Sequence, residues 1–197
     1  MSFALGLTGS IGMGKSTTAQ MFVEEGCALW DADAAVHRLY ASGGAAVEPM
    51  RAAFAGAIVD GAVSRDALKQ IIAADPEALK AIEAIVHPLV AKDRAVFREN
   101  TTSDISVFDI PLLFETGGDA AMDAVACVSI PADEQKRRVM ERGTMSEAQF
   151  EQIRAKQMSN DEKCARSDFV IVTDTLDHAR QQVQDVVRQI RAGMKDA

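Results

Sequence analysis

The chain has 197 residues, of which 48% are hydrophobic and 25% are charged, and its formal net charge at pH 7 is −8. This size and composition suit one globular domain with a full core, and the excess of acidic residues disfavours a nucleic-acid partner, because phosphate backbones require a basic surface. No apolar run approaches the roughly 18 residues of a membrane span, so we expect a cytoplasmic protein without a membrane segment. Cys27, Cys127 and Cys164 are far apart in sequence, which favours reduced structural thiols over a disulfide framework or a metal site.

The first predicted elements are a buried strand at residues 3–7, the sequence Gly-Ser-Ile-Gly-Met-Gly-Lys-Ser at residues 9–16, and a helix at residues 17–23. The eight residues fit the pattern G-x-x-x-x-G-K-[ST], which forms a phosphate-binding loop in this strand–loop–helix setting. Glycines allow successive backbone N–H groups to surround a phosphate, and the helix N-terminus adds partial positive charge. The loop therefore predicts that the chain binds a nucleoside triphosphate.

Individual residues of this loop have predicted roles. Lys15 can reach the β- and γ-phosphates, and the Ser16 hydroxyl can ligate Mg²⁺. Met13 is expected to act through its backbone only. The loop residues predicted to bind the nucleotide are Gly9, Gly12, Met13, Gly14, Lys15, Ser16 and Thr17.

A second short strand is predicted at residues 26–30, and two aspartates, Asp31 and Asp33, follow it. If strand geometry persists, both side chains point to one side, because alternate strand residues share a face. One carboxylate could then accept a proton from an attacking hydroxyl or orient it, while the other orders the loop or binds Mg²⁺ indirectly. A pair of turn-forming aspartates is the alternative.

Residues 34–97 have an almost entirely helical pattern. The pattern is interrupted at Gly43-Gly44, Gly56, Gly61, Asp75-Pro76 and His87-Pro88, and the last of these is expected to end a helix. A helical block of this kind between strands indicates an insertion that could cover a substrate.

Three more strands are predicted at residues 105–110, 124–130 and 169–172, and a closing amphipathic helix at residues 176–192. Strands that alternate with helices predict an α/β fold with a parallel sheet flanked by helices. Ligands of such sheets bind at the carboxyl ends of the strands, where the phosphate loop, Asp31, Asp33 and Asp109 all fall. Asp109 could contact Mg²⁺ through water or cap its strand.

Two arginines, Arg138 and Arg142, are four residues apart in a predicted helix that Gly143 ends, and another helix is predicted at residues 146–158. The spacing places both guanidinium groups on one helix face. A hinged helical pair with arginines is what a lid that closes over ATP requires, whereas a solvated charged helix is the alternative.

The motifs distinguish among classes of nucleotide-binding protein. A guanine-reading Asn/Thr-Lys-x-Asp and an Asp-x-x-Gly switch are missing from the sequence, which disfavours a GTPase, and a lone Asp109 in place of Asp-Glu disfavours motor-type ATPases. A small-metabolite kinase needs only the loop, a carboxylate near the acceptor hydroxyl, and arginines for the transferred phosphoryl group. The sequence contains all three.

These motifs together resemble the dephospho-coenzyme A kinases over nearly the whole chain. The resemblance is carried by the order and distances of several short sequences: residues 6–16, Asp31-Ala32-Asp33 with Val36-His37-Arg38, Asp60-Gly61 with Arg65 and Leu68, residues 85–90, residues 109–115 (Asp-Ile-Pro-Leu-Leu-Phe-Glu), Gln135 with Arg138 and Arg142, and Gln157-Met158.

The resemblance implies that ATP phosphorylates the ribose 3′-hydroxyl of dephospho-coenzyme A, with Mg²⁺ between the β- and γ-phosphates. It also implies a P-loop NTPase-type core at about residues 1–33, 98–134 and 159–197, a helical substrate-binding insertion at about 34–97, and a helical lid at about 135–158. Asp33, Lys15 and Arg138 would be catalytic, and Arg142 would close the lid on ATP. The residues implied on the acceptor side are Asp31, Arg65, His87, Pro111, Leu112 and Glu115.

The sequence departs from the family pattern at two places. Ser10 and Met13 replace small residues in the loop, and residues 167–173 read Ser-Asp-Phe-Val-Ile-Val-Thr where relatives often have Ala-Asp-x-Val-Ile-Asp-Asn. Two other functions remain open from the residues themselves, namely a kinase of the same fold with another acceptor and a slow ATPase that acts as a regulatory module. The oligomeric state is not readable from the sequence.

Overall fold

A computed structural model describes residues 2–195, which form two compact units. The first unit contains residues 2–30 and 101–195, and the second contains residues 31–100. The predicted insertion at residues 34–97 therefore corresponds in sequence to most of the second unit. Its role as a substrate-binding part, and that of residues 135–158 as a lid, remain predictions.

The first unit is built on a five-stranded sheet. Its strands are β1 (Phe3–Thr8), β2 (Ala28–Asp31), β5 (Ile105–Asp109), β6 (Ala124–Ser129) and β7 (Phe169–Val172), in the spatial order β2-β5-β1-β6-β7. β1 pairs in parallel with β5 and β6, and β6 pairs in parallel with β7. The α/β P-loop fold predicted from the alternating pattern is thus confirmed, with strand ends shifted by one or two residues.

The helices of this unit are α1 (Lys15–Glu24), α6 (Ala132–Glu141), α7 (Glu147–Lys156), α8 (Asn160–Arg166) and α9 (Leu176–Lys195). Of these, α1, α8 and α9 pack against strands of the sheet. The core joins side chains of β1, β5 and β6 to the apolar faces of α1 and α9, including Leu5, Phe22, Val107, Val128 and Val183. Within residues 2–195, no helix has both the length and the apolarity that crossing a membrane requires.

The sequence pattern did not predict α8. Its N-cap is Ser159, whose side chain accepts a hydrogen bond from the Glu162 backbone N–H at 3.2 Å. Ser followed three residues later by Glu is a recognised start signal for a helix. This short helix has no long apolar period, which is why periodicity alone did not reveal it.

The second unit is largely helical but also contains a hairpin. Its helices are α2 (Ala32–Tyr40), α3 (Val47–Ala53), α4 (Arg65–Ala74) and α5 (Ala78–Asn100), and its strands are β3 (Ile58–Val59) and β4 (Ala62–Val63). The hairpin turns at Asp60 and Gly61, both with positive φ (49° and 78°), as tight hairpins that use Asp-Gly require. The expectation of an almost entirely helical block was wrong at this hairpin.

The expectation that His87-Pro88 ends a helix was also wrong, because α5 continues through Pro88 to Asn100. Proline removes one intrahelical hydrogen bond, but buried contacts stabilise this helix on the side before the proline. Ile82 and Val86 are only 6% and 7% exposed and pack with Met50, Leu68 and other apolar side chains of the second unit. Tertiary packing therefore outweighs the local signal of proline.

Candidate active site

The phosphate loop connects β1 to α1 and has the backbone conformation that its glycines allow. Gly12 and Gly14 have φ values of 78° and 88°, a left-handed region in which a side chain is strained. Gly14 directly precedes α1, and its carbonyl accepts hydrogen bonds from the Thr18 backbone N–H at 3.1 Å and the Thr18 hydroxyl at 3.0 Å. The N–H groups at the start of α1 remain available for an anion.

Side chains from distant parts of the chain hold two carbonyls of this loop. Gln135 donates to the Ile11 carbonyl at 2.6 Å, and the Thr173 hydroxyl donates to the Met13 carbonyl at 2.6 Å. Met13 is also buried, with 3% of its surface exposed, and its sulfur accepts a hydrogen bond from the Ile130 backbone N–H at 3.3 Å. The expectation that Met13 acts through its backbone alone was therefore too narrow, because its side chain also anchors the loop.

Lys15 forms an ion pair with Asp109 at the carboxyl end of β5. The Asp109 side chain is 1% exposed and the Lys15 side chain 16%. A pair this shielded from water interacts more strongly than a surface pair. The sequence placed both residues at one edge of the sheet, and the structure brings them into direct contact.

The hydroxyl and carboxylate groups near the loop have the chemistry that Mg²⁺ prefers. Ser16 and Thr17 lie in the first turn of α1 and are exposed, and the Asp109 carboxylate lies beside Lys15. Mg²⁺ takes oxygen ligands and usually retains several waters while it binds substrate phosphates. In the described part of the chain, no group of three or more His, Cys, Asp and Glu side chains could hold a metal.

Arg138 links α6 to the chain after β7. Its guanidinium donates to the Thr173 carbonyl at 2.8 Å, to the Asp174 carbonyl at 3.3 Å and to Glu134 at 2.8 Å. Hydrogen bonds from Arg137 and Arg138 lower the pKa of Glu134 to about 2. Arg142 caps the end of α6 one turn later, and its side chain is exposed.

The segment after β5, which includes the predicted acceptor-side residues Pro111, Leu112 and Glu115, is held by Lys163 of α8. This lysine side chain is fully buried, pairs with Glu115 at 2.9 Å and donates to the Pro111 carbonyl at 2.9 Å. Thr8 donates to the same carbonyl at 3.1 Å. Leu112 itself is exposed. The structure therefore gives Glu115 a positioning contact, and its contact with an acceptor remains a prediction.

Glu115 is ionised in this arrangement. Burial by itself would raise the pKa of its carboxyl, but hydrogen bonds from Lys163 and from the Met158 backbone N–H outweigh burial, and the pKa is lowered from its ordinary value of 4.5. The Met158 N–H lies 3.0 Å from a Glu115 oxygen. Glu115 thus connects the segment after β5 to the chain between α7 and α8.

A cavity of about 910 Å³ opens beside the phosphate loop in the first unit. Its lining includes Ser10, Gln135, Arg154, Gln157 and Asn160. The Gln157 side-chain oxygen is buried and, among the atoms of residues 2–195, has no hydrogen-bond partner. A buried acceptor of this kind is costly unless a ligand or water satisfies it, and the volume is in the range of ligand sites.

The start of α2 in the second unit differs from the expected strand geometry. Asp31 is the N-cap of α2 and accepts a hydrogen bond from the Ala34 backbone N–H at 2.8 Å, whereas Asp33 lies in the first helical turn and is exposed. The two carboxylates therefore do not share a strand face. A capping carboxylate satisfies a helix N–H, so Asp31 has a structural contact and Asp33 is the more available of the two.

A second cavity, of about 350 Å³, lies within the second unit. Asp33, Tyr40, Arg65, Lys69, Glu83 and His87 contribute polar groups to it, and its apolar lining residues are Val36, Leu68, Ile72, Leu79, Ile82 and Val86. Arg65 and His87 are exposed. Burial raises the pKa of the neighbouring Tyr40 even though the Arg65 guanidinium lies 6.0 Å from its ring.

The predicted site residues thus divide between the units. The first unit contains the phosphate loop, Pro111, Leu112, Glu115, Arg138 and Arg142, and the second contains Asp31, Asp33, Arg65 and His87. Sequence reasoning missed three residues that support the site, namely Thr173, Lys163 and Asn160. Only the Ser159-x-x-Glu162 helix start could have drawn attention to α8, which carries the last two.

Comparisons with known proteins identify the family of this chain. Residues 3–178 match the family model described as dephospho-CoA kinase. A curated relative of that name from Ruegeria pomeroyi is 83% identical over 98% of both chains, and one from Jannaschia sp. is 57% identical over 98% of this chain and 100% of its own. The solved structure of TT1252 from Thermus thermophilus matches with a TM-score of 0.85 and 31% identity, over 95% of this chain and 97% of its own.

Proposed function

Because the chain belongs to the dephospho-CoA kinase family, we propose that its phosphate loop binds ATP and directs the γ-phosphate to the ribose 3′-hydroxyl of dephospho-coenzyme A. The hydroxyl oxygen forms a bond to the γ-phosphorus, the bond from that phosphorus to the β–γ bridging oxygen breaks, and the hydroxyl proton leaves. Coenzyme A and ADP are the products. The observation that carries this proposal is the phosphate loop with Lys15 paired to Asp109 at its edge. We place the reaction in the cytoplasm, as the sequence predicts.

Charge stabilisation is the main task of the first unit in this reaction. Phosphoryl transfer requires little covalent work of a protein, and most of the acceleration comes from positioning and from neutralising charge on the transferred group. Lys15 does this at the β- and γ-phosphates and Arg138 at the transferred phosphoryl. The buried Asp109 carboxylate supports the first role, since it fixes the ammonium next to the loop. Arg142, one turn along α6, closes over ATP.

Mg²⁺ would be held by the Ser16 hydroxyl together with the phosphates, and the oxygen donors described above fit it. When bound, it would neutralise charge on the β- and γ-phosphates. The Asp109 carboxylate, which is paired with Lys15, is a further oxygen ligand that could contact the ion through a water molecule.

Asp33 is the carboxylate that accepts or orients the acceptor hydroxyl. Its exposure in the first turn of α2 supports this assignment, because the neighbouring Asp31 already caps the helix. A carboxylate engaged as a cap is less able to accept a proton from a substrate. Asp33 also lines the cavity of the second unit, beside groups suited to an acceptor.

The acceptor binds at that cavity of the second unit. Dephospho-coenzyme A combines a charged diphosphate with a long uncharged arm, so its site needs cations and apolar surface together. Arg65 and Lys69 supply cations, and Leu68, Ile72 and Ile82 supply apolar surface. Asp31 and His87 are the further acceptor contacts that the resemblance implies in this unit.

The experiment that tests this function measures ADP release by the purified protein with Mg²⁺-ATP, with and without dephospho-coenzyme A, and determines the mass of the product. We expect ADP release that depends on the acceptor and a product that gains one phosphate. Adenosine serves as a comparison acceptor, because it has the same 2′- and 3′-hydroxyls and lacks the diphosphate arm. ADP release at the same rate with no acceptor would contradict the proposal and favour a slow ATPase.

A further inference from the structure

Two of the three cysteines lie side by side in the first unit. The Cys164 thiol of α8 donates toward the sulfur of Cys127 in β6, with 3.7 Å between the two sulfur atoms. Both are free thiols, as is Cys27. They are 37 residues apart in sequence, so the fold rather than a sequence motif brings them together.

The two thiols differ in access and in environment. Cys127 is fully buried, and burial raises the pKa of its thiol, which keeps it protonated. Cys164 is partly exposed, and the Asn160 side-chain amide nitrogen lies 3.6 Å from its sulfur. An oxidant from solvent therefore reaches Cys164 first, because it is the more exposed of the two cysteines.

We propose that Cys127 and Cys164 are an oxidation site that a hydroperoxide converts into an intramolecular disulfide, and that this disulfide weakens nucleotide binding at the phosphate loop. In the first step, written for hydrogen peroxide, the Cys164 sulfur bonds to one peroxide oxygen, the O–O bond breaks, the thiol proton passes to the departing oxygen, and a sulfenic acid and water form. In the second step the Cys127 sulfur attacks the Cys164 sulfur, the S–O bond breaks, and a second water leaves with the Cys127 proton. The two thiols lose two electrons in total, and the hydroperoxide gains them.

In this proposal, a shift of α8 toward β6 supplies part of the approach that the disulfide needs. A disulfide bond is about 2.05 Å long, so the two sulfurs must approach by about 1.6 Å from their present 3.7 Å. Cys164 is one turn along α8 from Asn160, so movement of the cysteine also moves the asparagine. A closely packed interior transmits such a shift instead of absorbing it.

Asn160 connects this movement to the phosphate loop. Its side-chain N–H donates to the Ser129 hydroxyl at 2.9 Å, and its side-chain oxygen accepts from the Ser10 backbone N–H at 3.5 Å. Ser10 belongs to the loop that receives the nucleotide phosphates in the proposed function, on which this part of the inference rests. A shift of Asn160 therefore disturbs a backbone N–H of the loop, and Ser10 and Asn160 line the same cavity.

Linkage makes the effect reciprocal. If the disulfide lowers the affinity for ATP by some factor, ATP must favour the dithiol over the disulfide by that same factor. Bound nucleotide thus protects the pair from oxidation at equilibrium. A nucleotide-free protein is the form most readily converted to the disulfide.

The test oxidises the purified full chain with hydrogen peroxide, alkylates the remaining thiols after denaturation, and maps the linked peptides by mass spectrometry. We expect the intact protein to lose two hydrogen atoms, a cross-linked pair of peptides that contain Cys127 and Cys164, and an affinity for a fluorescent ATP analogue at least about fivefold weaker, a typical coupling. Dithiothreitol should restore the affinity. In a glutathione redox buffer, ATP should lower the disulfide fraction.

Variants provide the matched controls. Cys127→Ala and Cys164→Ala should each retain nucleotide affinity after peroxide treatment, and either one suffices if the other folds poorly, while Cys27→Ala should respond as the wild type does. Oxidation of Cys164 to a sulfinic acid with no Cys127 cross-link would overturn the inference, as would a cross-linked protein with unchanged nucleotide affinity. Failure of the proposed function can be distinguished from failure of this inference. In that case the untreated protein, with both thiols free, would show no acceptor-dependent ADP release.

Discussion

The phosphate loop of the first unit and the start of α2 in the second unit hold their functional groups in opposite ways. The loop is fixed by buried partners that are distant in sequence, since Gln135 and Thr173 bind its carbonyls. The start of α2 is fixed by one local hydrogen bond, from the Ala34 N–H to Asp31, and Asp33 is exposed beside it. Substitutions near the loop should therefore change both stability and activity, whereas a substitution of Asp33 should change activity and leave stability unchanged.

The greatest loss of activity is predicted for a substitution of Lys15 in the phosphate loop. We expect Lys15→Ala to lower the turnover number by about 10³-fold or more, because an ammonium that neutralises the transferred phosphoryl is worth at least that much. Steady-state ADP release with dephospho-coenzyme A measures it. The variant should still unfold cooperatively, but at a lower denaturant concentration, because Asp109 loses the cation with which it is paired.

The control is Lys80→Ala, which removes an exposed lysine paired with Glu77 and should leave both turnover and stability nearly unchanged. Turnover of Lys15→Ala near that of the wild type would remove Lys15 from the mechanism.

The next effect concerns Asp33 and decides whether function and stability separate in the second unit. We expect Asp33→Asn to lower the turnover number by about 10² to 10³-fold, the range of general-base catalysis. The KM for ATP and the free energy of unfolding should stay unchanged. Asp66→Asn is a matched control, because Asp66 is also an exposed aspartate in the first turn of a helix of this unit. A change confined to KM would make Asp33 a binding residue.

A smaller effect distinguishes adjacent arginines of α6. We expect Arg138→Lys to lower kcat/KM for ATP by about 10- to 100-fold, because an ammonium cannot reproduce the planar contacts with Thr173, Asp174 and Glu134. Arg137→Lys, which changes an exposed neighbour that also binds Glu134, should alter kcat/KM by no more than about twofold. Equal kinetics in the two variants would return α6 to the role of a solvated charged helix.

The smallest effect on turnover is expected at Lys163, where the loss should fall mainly on stability. Lys163→Met breaks a fully buried partner of Glu115, and such a break typically costs about 3 kcal/mol. Chemical denaturation measures it. Lys163→Met combined with Glu115→Gln should recover part of the loss, because the carboxylate charge is then also removed. The matched control is Lys80→Met, which changes an exposed lysine paired with Glu77. A loss of stability in Lys163→Met as small as that in Lys80→Met would show that the buried pair contributes little.

The pair of Lys163 and Glu115 also makes the stability of the protein depend on pH. Because the pKa of Glu115 is lowered in the folded protein, its ionised form stabilises the fold above its ordinary value of 4.5, and that stability is lost as the pH falls below 4.5. Stability of Glu115→Gln should therefore fall less steeply in this acid range than that of the wild type.

The sequence was most informative where local chemistry decides structure. The glycines and Lys15 predicted the phosphate loop, and buried apolar runs predicted the strands, because these patterns depend on neighbouring residues. The prediction that a helix ends at Pro88 was wrong because it used neighbouring residues only. The packing of Ile82 and Val86 in the second unit stabilises a helix that continues through Pro88. Asp31 and Asp33 were expected to share a strand face, but Asp31 caps a helix and Asp33 lies in the first turn of that helix.

The rest of the site depends on contacts that no local pattern encodes. Nothing near Thr173 or Lys163 in sequence marks the carbonyls to which they donate. The Cys127–Cys164 contact is of the same kind, and the wide spacing that favoured structural thiols gave no sign of it. Such long-range hydrogen bonds become visible only once the sheet order is known.

The anchoring of the phosphate loop has a consequence for how the chain folds during its synthesis. The loop lies near the start of the chain, yet the hydroxyl that holds the Met13 carbonyl is 160 residues further along. Contacts of such high sequence separation form late, because a long loop must close before they are made. During synthesis on a ribosome, where a chain emerges from its N-terminus, the loop therefore acquires its final shape only after β7 has emerged, so a truncated product would carry the phosphate-loop sequence without its anchored conformation.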